Sequence, residues 1–227
     1  MRIRERATFM KNSLIFFLMA GFLLQPSLFA KIVSILHTND WQSRLLGFPN
    51  YDYQHDPYKK GTHGGVARLA SLIDQRKLEL ERRGPVLIFD SGDFTMGSLF
   101  HTIARESGGE IQLLSSLGYD AITFGNHEFD FRPKGLAQMI ESALKYKKKI
   151  PSIVSTNIRF SENQEGDRAL KKLMTEGIIK RHLIIESGGI RVAILGALGK
   201  DASEVATGKY PVTFENPIDS LNRELKK

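Results

Sequence analysis

The chain has 227 residues, of which 41% are hydrophobic and 25% charged, and it carries a formal net charge of +7 with no cysteine. This length suits one folded domain with a sizeable core, and the composition is that of ordinary globular proteins rather than disordered or fibrous ones. The absence of cysteine excludes disulfides, and a modest positive charge spread along the chain argues against a nucleic-acid partner.

The first 30 residues have the pattern of a signal peptide. Basic residues precede an apolar run from Leu14 to Leu24, and a small residue follows at Ala30. The run is about half of the ~20 residues that a membrane-spanning helix needs, and no second long apolar segment follows. We therefore expect residues 1–30 to be a cleaved signal peptide, starting at Met1 or Met10, on a periplasmic or secreted protein without stable membrane insertion. An uncleaved anchor is the alternative.

Strand and helix patterns alternate from residue 31 onward. Strands are predicted at 31–40, 86–90, 120–125 and 151–157, helices at 65–83 and 132–146, and short helical stretches at 97–117. The long polar stretch 41–63 between the first strand and the first helix is predicted to be a rim loop or partly disordered. This alternation predicts an α/β fold with a largely parallel sheet.

Two further elements are predicted towards the end of the chain. The β-rich segments 182–186 and 190–196 are joined by a Ser-Gly-Gly turn and are expected to form an antiparallel hairpin. Asn216 and Pro217 are typical N-cap and first-turn residues, so a helix is predicted to begin there.

Polar side chains follow the first three predicted strands. The motifs are TNDWQ at 38–42, SGD at 91–93 and GNHEFD at 125–130. Each motif alone is typical of a turn or a helix cap. Because a parallel sheet binds ligands beyond the carboxyl ends of its strands, the three motifs are expected to share one crevice. Two carboxylates, an amide and an imidazole there indicate a divalent metal site, and the donor types leave Mn²⁺, Zn²⁺, Mg²⁺ and Fe²⁺ open.

Taken in order, HTND, GD followed by Gly97, GNHEFD and STN resemble the calcineurin-like metallophosphoesterases. GNHEFD in particular is similar to the 5′-nucleotidase branch of that family. The resemblance spans roughly residues 31–227. It implies a β-sandwich flanked by helices, in α/β/β/α order, of which this chain is the N-terminal part and which is incomplete at the C-terminus.

The resemblance also implies roles for particular residues. It assigns Asp40 to the first of two divalent metal ions, Asp93 to a bridging position and Asn126 to the second metal and the substrate. It places His127 at the substrate phosphate, where the imidazole stabilises developing charge or protonates the leaving group, with Asp130 orienting the ring. The implied mechanism is in-line attack on phosphorus by a metal-bound hydroxide.

The sequence departs from the family pattern in two places. The first family motif is D-x-H, and Gln42 stands where its histidine would be, as a substitute ligand that is generally a weaker donor. The later metal-binding histidines, including a G-H-x-H motif, are absent. The remaining histidines are His37, His55, His63, His101 and His182. None of them matches the family motifs, and we expect an incomplete metal site.

These observations predict a hydrolase of phosphate esters, with nucleotides as the expected substrates, present here as a truncated chain with weak or no activity. Neither a G-x-S-x-G motif nor a P-loop is present, which argues against a serine hydrolase or an NTP-binding switch. One alternative is a non-catalytic exported fragment that binds only metal or phosphate. Another is a purely structural role in which the motifs are turns.

Overall fold

The computed structural model describes residues 31–49, 62–162 and 165–227. The predicted signal peptide, residues 1–30, lies outside the described residues, as does the middle of the polar stretch, residues 50–61. Residues 32–227 form one structural unit. Within the part of the chain that the structure describes, no helix has the length and apolar character needed to cross a membrane.

Eleven short strands are present in the described residues. In chain order they are β1 Ser34–Thr38, β2 Phe48–Pro49, β3 Thr62–His63, β4 Val86–Asp90, β5 Ala121–Ile122, β6 Ser152–Val154, β7 Ile158–Arg159, β8 Ile179–Lys180, β9 Leu183–Ser187, β10 Ile190–Ile194 and β11 Thr213–Phe214. Five of them form a parallel sheet in the order β1-β4-β5-β6-β8. Their carboxyl ends therefore lie along one edge, and the predicted α/β class is confirmed.

Seven α-helices connect and cover these strands within the described ranges. They are α1 Val66–Glu81, α2 Ala104–Ser107, α3 Gly109–Ser116, α4 Arg132–Tyr146, α5 Arg168–Thr175, α6 Lys200–Val205 and α7 Pro217–Glu224. The bounds of α4 agree with the prediction, and α1 and α7 agree to within two residues at each predicted end. Helices α5 and α6 were not predicted.

The main core lies between the parallel sheet and the helices. In α4 the buried side chains include Leu136, Met139 and Ile140, which share one face of the helix because they are three and four residues apart. They pack in the same apolar cluster as Ile88 of β4 and Ile153 of β6. This packing fixes the strands whose ends carry the polar motifs.

The predicted hairpin is confirmed by the antiparallel pairing of β9 with β10. A Cβ atom at Gly188, in the turn, would lie 2.9 Å from Pro85, directly before β4. A Cβ atom at Gly196, after β10, would lie 2.4 Å from the carbonyl oxygen of Val154 at the end of β6. Because its two ends contact opposite ends of the parallel strands, the hairpin lies along the sheet as a separate two-stranded unit.

Two strands of the sheet are shorter than predicted. The third was predicted at 120–125, but β5 ends at Ile122, and the N–H of Gly125 donates to a side chain, Glu128 Oε2, at 2.6 Å. The fourth was predicted to reach Asn157, but β6 ends at Val154, and the following strand β7 pairs with β11 instead. Side-chain hydrogen bonds and a distant partner strand therefore end these strands earlier than the apolar pattern indicates.

Candidate active site

Backbone hydrogen bonds join the loop after β1 to the loop after β4. The N–H of Asp40 donates to the carbonyl of Gly92 at 3.0 Å, and the N–H of Gln42 donates to the carbonyl of Asp93 at 2.9 Å. Asp40, Gln42 and Asp93 have φ angles of 56°, 47° and 53°. Non-glycine residues rarely adopt this left-handed conformation, and they keep it only where the surroundings enforce it. Three predicted metal ligands are thus held in one rigid double loop.

The loop after β5 contacts the same double loop through Asp93. The N–H of His127 donates to Asp93 Oδ1 at 2.9 Å. A Cβ atom at Gly125 would lie 2.1 Å from that oxygen, and a Cβ atom at Gly92 would lie 2.2 Å from the N–H nitrogen of Gly125. The two glycines therefore permit the close approach that brings Asp93 against the loop carrying Asn126 and His127.

Glu128 anchors both loops, and sequence reasoning gave it no role. Its side chain is 2% exposed. Oε2 accepts from the N–H groups of Asp93 and Gly125, and Oε1 accepts from the N–H and the hydroxyl of Thr95. Burial raises the pKa of Glu128 to about 7, although the backbone donors act in the opposite direction. The only sequence signal for this anchor is a charged residue inside a motif, directly before the buried Phe129.

His127 and Asp130 form a hydrogen-bonded pair at the edge of the site. His127 Nδ1 lies 2.9 Å from Asp130 Oδ2, and the two side chains are 29% and 31% exposed. Burial alone lowers the pKa of His127, but the hydrogen bond and charge of Asp130, with smaller effects of Asp93 and Glu128, raise the pKa above its ordinary value. The ring therefore remains accessible while a carboxylate holds its Nδ1 side.

A second imidazole, that of His101, lies near this pair. Its Nδ1 accepts from the N–H of Met96 at 3.0 Å, so the neutral ring carries its proton on Nε2. The ring stacks on Phe131 with centroids 4.4 Å apart. Burial lowers the pKa of His101, Asp130 opposes that effect and His127 adds to it. The sequence offered no motif that could have placed His101 beside the predicted catalytic pair.

A buried network behind the double loop fixes the ends of β1 and β4. Thr38 Oγ1 donates to Asp90 Oδ2 at 2.6 Å, and the hydroxyl of Tyr119 lies 2.7 Å from Thr38 Oγ1. Asp90 is 2% exposed. Burial raises its pKa to about 6, and the carboxylates of Asp40 and Asp93 add to the increase. Both predicted metal-binding carboxylates therefore lie near the same buried carboxyl group.

The donor types of the predicted ligands fit a hard or borderline divalent cation. Of the four predicted metal ligands, Asp40 and Asp93 supply carboxylates. Gln42 and Asn126 supply amides. Across residues 31–49, 62–162 and 165–227, no group of three or more His, Cys, Asp or Glu side chains is arranged to hold a metal ion. The metal-binding roles of Asp40, Gln42, Asp93 and Asn126 therefore stay predictions.

The fourth motif, STN at 155–157, does not join the site. Asn157 is fully buried, and its Nδ2 donates to the carbonyls of Leu198 and Glu215 at 2.9 Å each. Its Oδ1 accepts from the N–H of Leu198 at 3.0 Å. This side chain ties two C-terminal segments to the end of β6, so its contacts are structural.

The fold is that of a calcineurin-like phosphoesterase. A calcineurin-like phosphoesterase of Bacillus subtilis matches with a TM-score of 0.60 at 22% identity, over 86% of this chain and 57% of that one. A 5′-nucleotidase precursor of Thermus thermophilus matches with a TM-score of 0.66 at 27% identity, over 86% of this chain and 34% of that one. No protein-family model matches the chain.

Sequence comparison finds similarity to 5′-nucleotidases and to an apyrase. The chain is 33% identical over 209 residues to the 5′-nucleotidase of Bos taurus, covering 91% of this chain and 33% of that protein. It is 30% identical over 195 residues to an apyrase of Anopheles gambiae, covering 86% of this chain and 32% of that protein. The predicted resemblance to the 5′-nucleotidase family of calcineurin-like metallophosphoesterases is confirmed. The chain spans about a third of the length of these curated relatives.

Proposed function

We propose that the chain is part of an exported, metal-dependent hydrolase of phosphate esters whose substrates are nucleotides. The observation that carries this proposal is the joining of three strand-end loops through Asp93, with His127 and Asp130 paired at their edge. Relatives named 5′-nucleotidase and apyrase support nucleotides as the substrate class. We further propose that residues 1–30 are an export signal and that residues 31–227 are the N-terminal part of the phosphoesterase domain.

In this proposal Asp40, Gln42, Asp93 and Asn126 hold divalent cations. When bound, such cations polarise the phosphoryl group and lower the pKa of a water molecule to about 7. Glu128 and the two glycines of the site keep the loops at fixed separation, which positions the carboxylate and amide oxygens before any ligand binds. The protein's own contribution is thus a preorganised set of oxygen donors.

His127 acts on the substrate in this proposal. Its raised pKa increases the protonated fraction near neutral pH, so the ring can donate a hydrogen bond or a proton to a phosphoryl or leaving-group oxygen. Asp130 holds Nδ1 and leaves Nε2 as the atom that meets the substrate. Asn126, one residue earlier, supplies an amide N–H for a second phosphoryl oxygen.

The test is release of phosphate from AMP by the purified chain with Mn²⁺, together with Mn²⁺ binding by calorimetry. We expect Mn²⁺ binding with slow turnover, and loss of both in Asp93→Asn. Asp74→Asn, an exposed carboxylate on α1, is the matched control and should change neither. Unchanged Mn²⁺ stoichiometry in Asp93→Asn would contradict the proposed ligand set.

One observation favours the second candidate, a non-catalytic protein that binds metal or phosphate. Among the described residues the predicted ligand set has only two carboxylates, with no third acidic or imidazole group completing it. That candidate expects Mn²⁺ or phosphate binding without any turnover of AMP. Turnover that disappears in His127→Ala would exclude it.

A further inference from the structure

His101 is a second imidazole beside the candidate active site, and the roles proposed above do not use it. It lies in a short 3₁₀ helix, Leu99–Ile103, between the loop after β4 and α2. This helix is fixed at its start, because the hydroxyl of Ser98 donates to the carbonyl of Ser43 in the loop after β1. The backbone that carries His101 is therefore held by the loop that carries two of the predicted metal ligands.

The imidazole ring of His101 is itself held at two points. Its Nδ1 accepts from the N–H of Met96 at 3.0 Å, and its face stacks on Phe131 with an interplanar angle of 10°. Because Nδ1 accepts, Nε2 carries the proton of the neutral ring and is a hydrogen-bond donor. Within the described residues Nε2 has no protein partner, and the side chain is half-buried. This donor is therefore oriented by the protein and available to a ligand.

The ring of His101 lies next to the pair of His127 and Asp130. Phe131, on which the ring stacks, directly follows Asp130 in the chain. The hydroxyl of Thr95, one residue before the backbone donor to Nδ1, donates to the carbonyl of His127 at 3.1 Å. The charges of Asp130 and His127 both act on the pKa of His101, in opposite directions. Two imidazoles and one carboxylate therefore share one edge of the candidate site.

The chemistry of this edge favours an anionic ligand. In both His101 and His127 the Nδ1 atom is engaged with the protein, which leaves the two Nε2 atoms for a ligand. A metal ion would need a lone pair on Nε2, and the neutral ring of His101 has a proton there instead. A phosphate group offers several oxygen atoms as acceptors, and N–H donors form charge-assisted hydrogen bonds to it. Two imidazole donors therefore match two oxygens of one phosphate.

We propose that Nε2 of His101 donates a hydrogen bond to an oxygen of the substrate phosphate, beside the oxygen that His127 meets. His101 is then a second substrate-binding residue, and the two hydrogen bonds together fix the orientation of the phosphate. This inference rests on the proposed function, because it takes His127 to contact the phosphate. The contribution of His101 falls on substrate affinity rather than on proton transfer, since its ring donates a hydrogen bond while it stays neutral.

Inorganic phosphate is the probe, because it has the phosphoryl oxygens without a nucleoside. The purified chain, at constant pH and without added metal, is titrated with phosphate while NMR follows the imidazole nitrogens. We expect saturable shifts of the Nε2 resonances of His101 and His127. His37, an exposed imidazole on β1, should show none. A His101 resonance that phosphate leaves unshifted would overturn the inference.

Two variants separate the Nε2 donor of His101 from its structural contacts. His101→Asn places a side-chain oxygen where the ring has Nδ1, so it keeps an acceptor for Met96 and has no group at the position of Nε2. His101→Gln places an amide N–H near that position instead. Both variants lose the stacking on Phe131, so that loss cancels between them.

Phosphate affinity, read from the His127 resonance, should distinguish the two variants. We expect His101→Asn to weaken phosphate binding about tenfold, because a hydrogen bond to a charged group is lost. His101→Gln should retain most of the affinity, and His37→Asn, the control, should retain all of it. Equal affinity in His101→Asn and His101→Gln, or weaker binding by His101→Gln, would assign only structural contacts to His101.

The outcomes separate this inference from the proposed function. Unchanged phosphate affinity in His101→Asn would overturn the role of His101 even if the wild type binds Mn²⁺ and hydrolyses AMP. A loss of phosphate affinity in His101→Asn that His101→Gln restores supports that role even if AMP is not hydrolysed. Absence of Mn²⁺ binding by the wild type counts against the proposed function instead.

Discussion

The ends of strands β4 and β6 carry similar polar motifs, SGD and STN, but the structure uses them differently. Asp93 in the first motif is half-buried, and its carboxylate accepts a hydrogen bond from the N–H of His127 in a neighbouring loop. Asn157 in the second is fully buried, and both ends of its amide are bonded to backbone groups of the C-terminal segments. The side chain at the first strand end is therefore partly accessible, and the one at the second is fully buried.

This difference shows that residue type at a strand end does not by itself identify a functional site. A buried amide whose donors and acceptors are bonded to the protein has no capacity left for a ligand. A partly accessible carboxylate positioned by backbone N–H groups keeps that capacity. The separating criterion is what the side chain contacts, which depends on segments far away in the sequence.

The largest expected loss of stability comes from replacing the buried polar side chains that anchor the two regions, Glu128 and Asn157. Glu128→Gln places an amide NH₂ against backbone donors, and Asn157→Ala leaves buried backbone groups of Leu198 and Glu215 without their partner. Each buried group left unsatisfied costs about 1–3 kcal/mol, so both variants should lose about 3 kcal/mol of unfolding free energy in urea denaturation.

Mn²⁺ affinity should separate these two variants. Glu128→Gln disturbs the N–H of Asp93 and should weaken Mn²⁺ binding about tenfold, whereas Asn157→Ala should leave the affinity of the folded protein unchanged. Glu141→Gln, on the exposed side of α4, is the control and should alter neither quantity. Equal loss of Mn²⁺ affinity in Glu128→Gln and Asn157→Ala would contradict the claim that only Glu128 supports the candidate metal site.

The next effect concerns the pH dependence of stability in the metal-free protein. Burial raises the pKa of Asp90 from 3.8 to about 6, so ionisation is less favourable in the folded than in the unfolded state. The contribution of Asp90 to the unfolding free energy is therefore fully present below the pKa that it has in the unfolded state. This contribution is lost as pH rises through the pKa that it has in the folded state. A difference of about two pKa units corresponds to about 3 kcal/mol.

Asp90→Asn isolates this contribution. The unfolding free energy of the wild type minus that of Asp90→Asn, measured in urea with EDTA, should fall by about 3 kcal/mol between about pH 4 and pH 7. Mn²⁺ should reverse part of the fall, because it offsets the charge of Asp40 and Asp93 that adds to the pKa increase. A pH-independent difference would show that Asp90 ionises normally within the fold.

Elements with strong local signals were predictable from the sequence. Helix α4 has an apolar face with the helical period, and α7 begins directly after its N-cap Asn216, whose side chain accepts from the N–H of Asp219 at 3.2 Å. Strand β8 was missed because it has two residues, and its place in the sheet depends on pairing with β6. The pairing of β7 with β11 joins segments about fifty-five residues apart, which no local pattern encodes.

In the candidate active site, too, only the features with a local sequence signal could be predicted. Asp40, Asp93 and His127 could be predicted from the sequence because each stands in a short local motif. The anchoring role of Glu128 depends in part on the backbone N–H groups of Asp93 and Thr95, more than thirty residues away. The proximity of His101 to His127 depends on the fold of an intervening helix pair. Short motifs therefore predicted candidate site residues, and the residues that contact them from other segments were not predicted.

The smallest expected change in stability concerns the hydrogen-bonded pair of His127 and Asp130 at the edge of the site. Because both side chains are about 30% exposed, Asp130→Asn should alter the unfolding free energy by less than about 1 kcal/mol. It removes the carboxylate that raises the pKa of His127, so the imidazole should titrate at lower pH in an NMR titration. Asp201→Asn, exposed on α6, is the control and should leave the titration unchanged. An unshifted His127 in Asp130→Asn would mean that burial and the remaining carboxylates set its protonation, and the pair would then lose its proposed part in positioning the ring.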